Sequence, residues 1–239
     1  MPLHFDSKEF GNRRNRLLEL MAGSELDGML IFRQESMFYL TGYDSFGYVF
    51  FQCLFLGGDG KLILLTRVPD LRQAQNTSIV EDIRIWVDGP EVNPALQLKE
   101  ILREYGCAGK RLGVEYDSYG LTAKNGKMLD SALDGFCELI DASGMVNRLR
   151  VVKSPEELVY VRKAAELADD ALDEAHRLVK DGCDEGELLA AMQGAVFRGG
   201  GDYPGNEFII GSGENALLCR YFSGRRKLDP EDQITLEWA

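Results

Sequence analysis

The sequence is poor in the residues that build metal centres and disulfide frameworks. It contains only two histidines, His4 and His176, so a histidine-based metal site or a Ser-His triad within this chain would need one of them. His176 falls in a charged helical pattern, which is typical of a solvated surface residue. The five cysteines are odd in number, lie far apart and form no C-x-x-C motif, which argues against a disulfide framework or a zinc site.

Long apolar runs and an excess of basic residues are also missing. The longest apolar run, residues 48–56, has the length of a strand, whereas a helix that spans a bilayer needs about 20 apolar residues. The net charge of −12 argues against a nucleic-acid partner, because nucleic acids bind to basic protein surfaces. The opening residues, MPLHFDSKEF, contain no apolar signal region. We therefore expect a cytoplasmic protein without a membrane or nucleic-acid partner.

Helical and strand patterns alternate through the first 150 residues. The residues GGDG separate two apolar runs and predict a β-hairpin. The alternation predicts a three-layer α/β domain, and the hairpin makes its sheet mixed rather than all-parallel. Helices are predicted at 7–21, 93–105 and 121–133, with a short helix that runs into a glycine-rich bend in 36–47, and strands at 26–32, 48–56, 61–66, 83–87, 111–115 and 136–140.

A long helix is predicted to open the second half of the chain, over 155–179. Ser154 is a suitable N-cap, Pro155 suits the first helical position, and Glu157 completes a capping box. A second helix, capped by Asp184, is predicted to end near residue 197. The long helix is expected to bury one apolar stripe, formed by Leu158, Val161, Ala165, Ala168, Leu172 and Ala175.

The last stretch, residues 206–239, carries the two residues that stand out chemically. Its pattern predicts a short strand, a turn at the GSG motif of residues 211–213, a basic loop and a second strand. Arg220 lies among apolar residues in ALLCRYF, and Glu237 lies in the strand ITLEWA. A buried charge is costly unless it is paired or bound to a ligand, so both residues are candidates for chemistry.

Each candidate also has a purely structural interpretation. Arg220 can pair with an acidic residue of the sheet, and Glu237 alternates with apolar residues, so it can lie on a solvated face of its strand. Arg225 and Arg226 are interpreted as part of a solvated loop. The GSG motif lacks a G-x-G-x-x-G pattern, which argues against a dinucleotide site.

Three ordered motifs resemble those of a known superfamily. They are FYLTGY at 38–43, RVVKSPEEL at 150–158 and FIIGSGENALL at 208–218. In this order they resemble the creatinase and Xaa-Pro peptidase superfamily, the pita-bread enzymes, along the whole chain. The resemblance implies a creatinase-like N-terminal three-layer domain at 1–150 and the first part of a pita-bread catalytic domain at 151–239. That catalytic domain is expected to continue further in the complete protein.

The sequence departs from this superfamily at the metal site. Metal-dependent members have a His before a Tyr where this chain has Arg220 and Tyr221, and a ligand Asp where it has Glu237. An Arg stays protonated and has no acceptor, so it cannot replace a neutral imidazole. The departure implies an enzyme without a metal cofactor. The alternative is a site for two divalent ions such as Mn or Co.

The pattern around Arg220 and Glu237 is most similar to ectoine hydrolases, which open the cyclic amidine ring of ectoine. This resemblance implies metal-independent C–N hydrolysis of a small zwitterionic solute, with Arg220 and Tyr221 binding the substrate and Glu237 catalytic. Arg is suited to bind a carboxylate through two hydrogen bonds. The alternatives are a metal-dependent Xaa-Pro dipeptidase or aminopeptidase and a catalytically inactive pita-bread binding protein. The resemblance also implies a homodimer in which the aromatic bend, residues 37–51, covers the partner's site.

Overall fold

The chain divides into two compact units in the computed structural model, which describes residues 3–46, 49–218 and 224–238. The N-terminal unit is Met1–Lys153, and the C-terminal unit is Ser154–Ala239. Within the described ranges, no helix is both long enough and apolar enough to cross a membrane.

The N-terminal unit alternates helices and strands as the sequence predicts. Its elements are α1 Ser7–Gly23, β1 Gly28–Ile31, α2 Gln34–Thr41, β2 Cys53–Gly57, β3 Leu62–Arg67, α3 Leu71–Thr77, β4 Asp82–Trp86, α4 Pro94–Glu104, β5 Arg111–Val114, α5 Ala123–Leu133, β6 Glu138–Asp141 and α6 Met145–Val151.

One mixed six-stranded sheet runs through this unit, in the order β4-β3-β2-β1-β5-β6. β2 is antiparallel to both β1 and β3, and the other neighbouring strands are parallel. The chain turns between β2 and β3 at the predicted GGDG, where Gly60 has a φ of +86° that favours glycine. The prediction of a mixed sheet with a hairpin is confirmed.

Helices cover both faces of the sheet, which makes the predicted three layers. Successive strand residues alternate between the faces. Leu30 and Phe55 belong to the core under α4 and α5. Met29 and Leu54 belong to the core under α1, α2, α3 and α6. Because both faces are buried, the strands read as continuous apolar runs in the sequence.

Two parts of this unit differ from the sequence prediction. Residues 145–151 are predicted only as a domain boundary, yet they form α6 because Val146 and Leu149 bury one side of that short helix. The strand predicted at 48–56 begins only at Cys53. Phe50 is exposed, and the Arg67 guanidinium carbon lies 3.6 Å from the centroid of its ring, so this apolar residue makes a cation–π contact outside the sheet.

A buried carboxylate joins the end of β5 to the start of α2. Glu115 is only 1% exposed. One of its oxygens accepts hydrogen bonds from the backbone N–H groups of Phe32 at 3.2 Å and Arg33 at 3.0 Å, and the other accepts one from the Ser36 hydroxyl at 2.6 Å. Burial raises the pKa of Glu115 to about 7, although these hydrogen bonds act in the opposite direction.

The C-terminal unit begins with the predicted capping box. The Ser154 N–H donates to the Glu157 carboxylate at 2.8 Å, and the Glu157 N–H donates to Ser154 Oγ at 3.1 Å. The second helix is capped by Asp184, as predicted. The elements of this unit are α7 Pro155–Leu178, α8 Glu185–Arg198, β7 Ile209–Ser212, a 3-10 helix Gly213–Leu217 and β8 Ile234–Glu237.

The apolar stripe predicted for α7 is wrong in the first half of the helix. The buried residues are Leu167, Ala171 and Ala175, whereas Leu158 and Val161 are exposed. Ala171 and Ala175 belong to a core that also includes residues of α8. No described residue buries Leu158 or Val161.

Candidate functional site

The candidate site lies on the two-stranded antiparallel sheet of β7 and β8. The register of this pair places Glu237 opposite Ile209. Leu236 and Trp238 pack against the core between α7 and α8, which places the intervening Glu237 on the other face. The alternation predicted for this strand is therefore confirmed.

Glu237 is exposed on this face. The side-chain amide of Asn206 donates to Glu237 Oε1 at 3.3 Å, which is the one hydrogen bond of this side chain within the described residues. A carboxylate has about four acceptor positions. Glu237 can therefore accept a proton from a water molecule or bind a cationic group of a ligand.

The 3-10 helix Gly213–Leu217 lies over the same face of the sheet. The Thr235 hydroxyl donates to the carbonyl of Ala216 at 2.8 Å. A Cβ added to Gly211 would lie 2.4 Å from a carbonyl oxygen of that helix, so only glycine fits there. Gly213 has a φ of +55°, which also favours glycine. The chain leaves the strand at Gly213, as the predicted turn requires, whereas Gly211 and Ser212 still belong to β7, so the turn predicted at residues 211–213 begins only at its last residue.

Ser212, between these glycines, belongs to a polar network that joins buried to part-exposed side chains. Glu185, the first residue of α8, is fully buried. Its Oε1 accepts a hydrogen bond from the Ser212 hydroxyl at 2.7 Å, and its Oε2 accepts one from the backbone N–H of Arg226 at 3.1 Å. The Arg226 guanidinium donates to Ser212 Oγ at 2.8 Å and forms an ion pair with Asp232. The network links the start of α8, the end of β7 and the loop before β8.

The interpretation of Arg226 as a solvated loop residue is wrong. Its guanidinium contacts Ser212, Asp229 and Asp232. The hydrogen bond to Asp232 raises the pKa of Arg226. The pKa of Asp232 is lowered, mainly because its carboxylate accepts a hydrogen bond from the backbone N–H of Asp229. Both changes favour the charged forms. Arg225 is exposed, as predicted.

Arg220 and Tyr221, with their neighbour Cys219, lie outside the described residues. The structure describes the chain up to Leu218 and again from Gly224. The substrate-binding roles of Arg220 and Tyr221 therefore stay predictions. The structure places Glu237 beside Asn206, and it does not test whether Arg220 lies near them.

The residues that the structure describes do not fit a metal centre. Among them, no group of three or more His, Cys, Asp or Glu is placed to hold an ion. The carboxylate at the family's ligand position, Glu237, has an amide as its described polar neighbour rather than a second carboxylate or an imidazole. A dinuclear site needs several such ligands around both ions. His176 is exposed on α7, as predicted.

Two family models match almost the whole chain. The creatinase/prolidase N-terminal domain matches residues 13–152, and metallopeptidase family M24 matches residues 159–239. The chain belongs to the creatinase and Xaa-Pro peptidase (M24) superfamily. This confirms the resemblance that the three sequence motifs indicate, and with it the fold class.

Relatives within the M24 superfamily act on different substrates. An ectoine hydrolase from Halomonas elongata is 27% identical over 232 residues, which cover 90% of this chain and 57% of that protein. A Xaa-Pro aminopeptidase from Escherichia coli is 27% identical over 259 residues, covering 96% of this chain and 58% of that protein. The structure of a dipeptidase from Pyrococcus horikoshii matches with a TM-score of 0.76 at 26% identity, covering 95% of this chain and 60% of that one. The chain spans less than two thirds of the length of each.

The sequence analysis missed Glu185 and Ser212 as members of the site. Glu185 has the pattern of an ordinary acidic residue in the first turn of a helix. Its partners Ser212 and Arg226 are far away in sequence, so no short sequence motif indicates that the three residues contact one another. The one local signal is the pair of glycines around Ser212, which marks a polar residue where the backbone packs closely.

Proposed function

We propose that the whole protein is a cytoplasmic hydrolase that cleaves a C–N bond in a small cyclic amidine or amide solute, as ectoine hydrolases do. The observation that carries the proposal is the pair Arg220 and Glu237 at the family's metal-ligand positions, in a chain similar to an ectoine hydrolase. In this proposal Arg220 and Tyr221 bind the carboxylate of a zwitterionic substrate.

Glu237 is the general base of the proposed reaction. Water adds to the amidine carbon while Glu237 accepts a proton from that water. One ring C–N bond then breaks, and the proton passes to the departing nitrogen. The cyclic amidine and one water become an open-chain amide and an amine. The exposure of Glu237 supports this role, because water and substrate can reach a carboxylate to which, among the described residues, Asn206 alone donates a hydrogen bond.

The test is turnover of ectoine by the whole protein, followed by NMR in the presence of a chelator. We expect ring opening that does not depend on added metal. Glu237→Gln should lose activity, and its melting temperature should stay the same because the side chain is exposed. Glu214→Gln, which changes an exposed carboxylate on the 3-10 helix, is the matched control and should stay active. A protein that leaves ectoine untouched would contradict the proposal.

A metal-dependent Xaa-Pro dipeptidase or aminopeptidase is the second candidate. It is favoured by the description of family M24 as metallopeptidases and by the similarity to the aminopeptidase from Escherichia coli. Two Mn or Co ions per chain by elemental analysis, with Xaa-Pro cleavage that stops on chelation, would replace the ectoine proposal. The third candidate, an inactive binding protein, would show thermal shifts with ectoine, creatine or Xaa-Pro dipeptides without turnover of any of them.

We also propose a homodimer in which the aromatic bend covers the partner's site. Phe46 is 81% exposed and Phe50 is 41% exposed. The bend is anchored by the buried Tyr43, whose hydroxyl donates to Gln52 Oε1 at 2.7 Å. Exposed aromatic rings are typical of interfaces. Light scattering should give twice the chain mass, and Phe46→Ser should weaken association. A monomer with full activity would refute this assembly.

A further inference from the structure

The strand β4 forms one edge of the six-stranded sheet in the N-terminal unit. It pairs with β3 on one side, and no described strand pairs with its outer side. The outer side of an edge strand presents unpaired backbone N–H and C=O groups, which can pair with a strand of another chain. This edge is therefore a candidate interaction surface.

Apolar side chains lie along the edge formed by β4. Ile85 is 41% exposed, and Val87, the first residue after the strand, is 63% exposed. Proteins commonly protect an edge strand with charged side chains and by keeping it short. The opposite edge of the sheet follows that rule, because β6 is four residues long and has the exposed residues Glu138 and Asp141 at its two ends. Of the two edges, β4 is the one that favours pairing.

A second copy of this chain can pair with β4 about a two-fold axis perpendicular to the sheet. Such an axis keeps each side chain on its own face of the sheet, and residues directly opposite each other in an antiparallel pair share a face. Neighbouring residues of a strand point to opposite faces, so the axis has to pass through a residue rather than between two residues. The symmetry therefore allows only a few registers, which differ in the residues that they bring together.

The register centred on Trp86 is self-complementary in both hydrophobicity and charge. It places Ile85 opposite Val87 of the second copy, and burial of these exposed apolar side chains is favourable. It also places Arg84 opposite Asp88, and opposite charges directly across an antiparallel pair are stabilising. Each of these two pairs occurs twice because of the symmetry.

The charged side chains of this register are accessible for contacts across the edge. Arg84 is part-exposed and Asp88 is exposed. Arg84 donates to the Asp82 carboxylate, and Asp88 accepts from Arg67 at 2.7 Å. A guanidinium has five donors and a carboxylate has about four acceptor positions. Each group can therefore keep its present partner and also bind to a second copy of the chain.

The registers centred earlier in the strand are less favourable. A pair centred on Ile85 places Asp82 opposite Asp88, and a pair centred on Arg84 places two guanidinium groups opposite each other. Like charges directly opposite each other destabilise a pair of strands. A pair centred on Ile83 places an acidic side chain opposite the apolar Ile85.

We propose that β4 pairs with β4 of a second copy of this chain in the register centred on Trp86, which joins two six-stranded sheets into one sheet of twelve strands. Open sheets of this size occur in α/β proteins. The inference does not depend on the substrate of the proposed function. It uses residues other than those of the aromatic bend, so the two interfaces can be tested separately.

The experiment reverses the charges of the proposed pair in the full chain. All variants carry Phe46→Ser, which weakens the interface proposed for the aromatic bend. Arg84→Asp and Asp88→Arg each bring like charges together at both ends of the paired strands. A mixture of the two variants restores opposite charges at both ends, because the two acidic residues of one chain then face the two basic residues of the other.

Sedimentation velocity and native mass spectrometry measure the association. We expect the Phe46→Ser chain to form dimers and each charge variant to associate at least about tenfold more weakly with itself. The mixture should form heterodimers with nearly the affinity of the Phe46→Ser chain. Val87→Lys should also weaken association, whereas Leu96→Lys, at an exposed apolar position on α4, is the matched control and should leave it unchanged.

Amide hydrogen exchange of the Phe46→Ser chain tests the backbone pairing without a change in β4. The amides of residues 83–88 should exchange more slowly as the protein concentration rises, because association provides partners for the N–H groups on the outer side of the strand. The amides of β6, at the opposite edge, should show no such dependence.

A Phe46→Ser chain that is monomeric at every concentration would overturn the inference. Charge variants that associate as tightly as that chain, or that fail to associate with each other, would overturn the proposed register. Exchange at residues 83–88 that is independent of concentration while the chain forms dimers would show that association does not occur through β4.

Discussion

Replacing Glu115 with Gln should make the N-terminal unit more stable at neutral and alkaline pH and leave its stability in acid nearly unchanged. Gln has the shape of Glu and no charge. Its Oε1 can accept the two backbone N–H groups that now bond to Glu115 Oε2, and its Nε2 can donate to the Ser36 hydroxyl, which then acts as an acceptor. The substitution therefore removes a buried charge, and each of these three contacts still joins a donor to an acceptor.

The size of the effect follows from the pKa of Glu115, which burial raises from its ordinary value of 4.5 to about 7. A carboxyl whose pKa is raised in the folded state stabilises that state at pH values below its pKa in the unfolded chain. That contribution is lost as the pH rises through its pKa in the folded state. A rise from 4.5 to about 7 corresponds to about 3 kcal/mol, since one pKa unit is about 1.4 kcal/mol. The Glu115→Gln variant should match the parent near pH 4.5 and exceed it by about 3 kcal/mol near pH 8.

The assay is urea unfolding followed by tryptophan fluorescence at several pH values. Trp86 reports on the N-terminal unit, because it is buried and its indole N–H donates to the Phe51 carbonyl at 3.0 Å. A Trp238→Phe background removes the signal of the other unit. Glu91→Gln, at an exposed loop position, is the matched control and should show no difference that depends on pH. A Glu115→Gln variant that is less stable than its parent near pH 8 would refute the reasoning, because the hydrogen bonds to the carboxylate would then outweigh its burial.

Three further predictions concern the C-terminal unit. If Arg220 binds the substrate carboxylate, Arg220→Lys should lower kcat/KM about 30-fold or more with an unchanged melting temperature, and unchanged turnover would remove Arg220 from the site. Gly213→Ala should cost about 1–3 kcal/mol by Trp238-monitored unfolding, because of the positive φ and the ion pair packed against that position, whereas Gly205→Ala, with open space around it, should be neutral. Ser154→Ala should cost about 1 kcal/mol in the same assay through loss of the α7 cap, and an unaffected midpoint would contradict this.

The features predicted correctly from the sequence are those whose cause is local. The GGDG turn and the capping box at Ser154 each depend on a few neighbouring residues, and both form as predicted. The alternation in β8 is also local, because successive residues of any strand point to opposite faces of the sheet. It places Glu237 on the face that points away from the core.

The features that the sequence analysis missed depend on contacts between distant residues. α6 is short, and its helical state follows from burial of Val146 and Leu149 against the sheet rather than from its own pattern. The hydrogen bond from the Arg226 N–H to the Glu185 carboxylate joins the loop before β8 to the start of α8, so neither residue carries a local signal of it. The start of α7 shows the reverse case, in which a pattern predicts burial that is not found. Leu158 and Val161 fit an apolar stripe, yet no described residue covers them.

The strand order of the N-terminal unit has a consequence for how it folds. β1 pairs on one side with β2, which is close to it in the sequence. On the other side it pairs with β5, which is far away in the sequence, and there Gly28 pairs with Leu112. Closing the longer loop costs more chain entropy before any contact compensates for it. We therefore expect β1 to β4 to assemble first and β5 and β6 to join late and separate first. Native-state hydrogen exchange should show a lower opening free energy for the amides of β5 and β6 than for those of β2 and β3, and equal values would contradict this order.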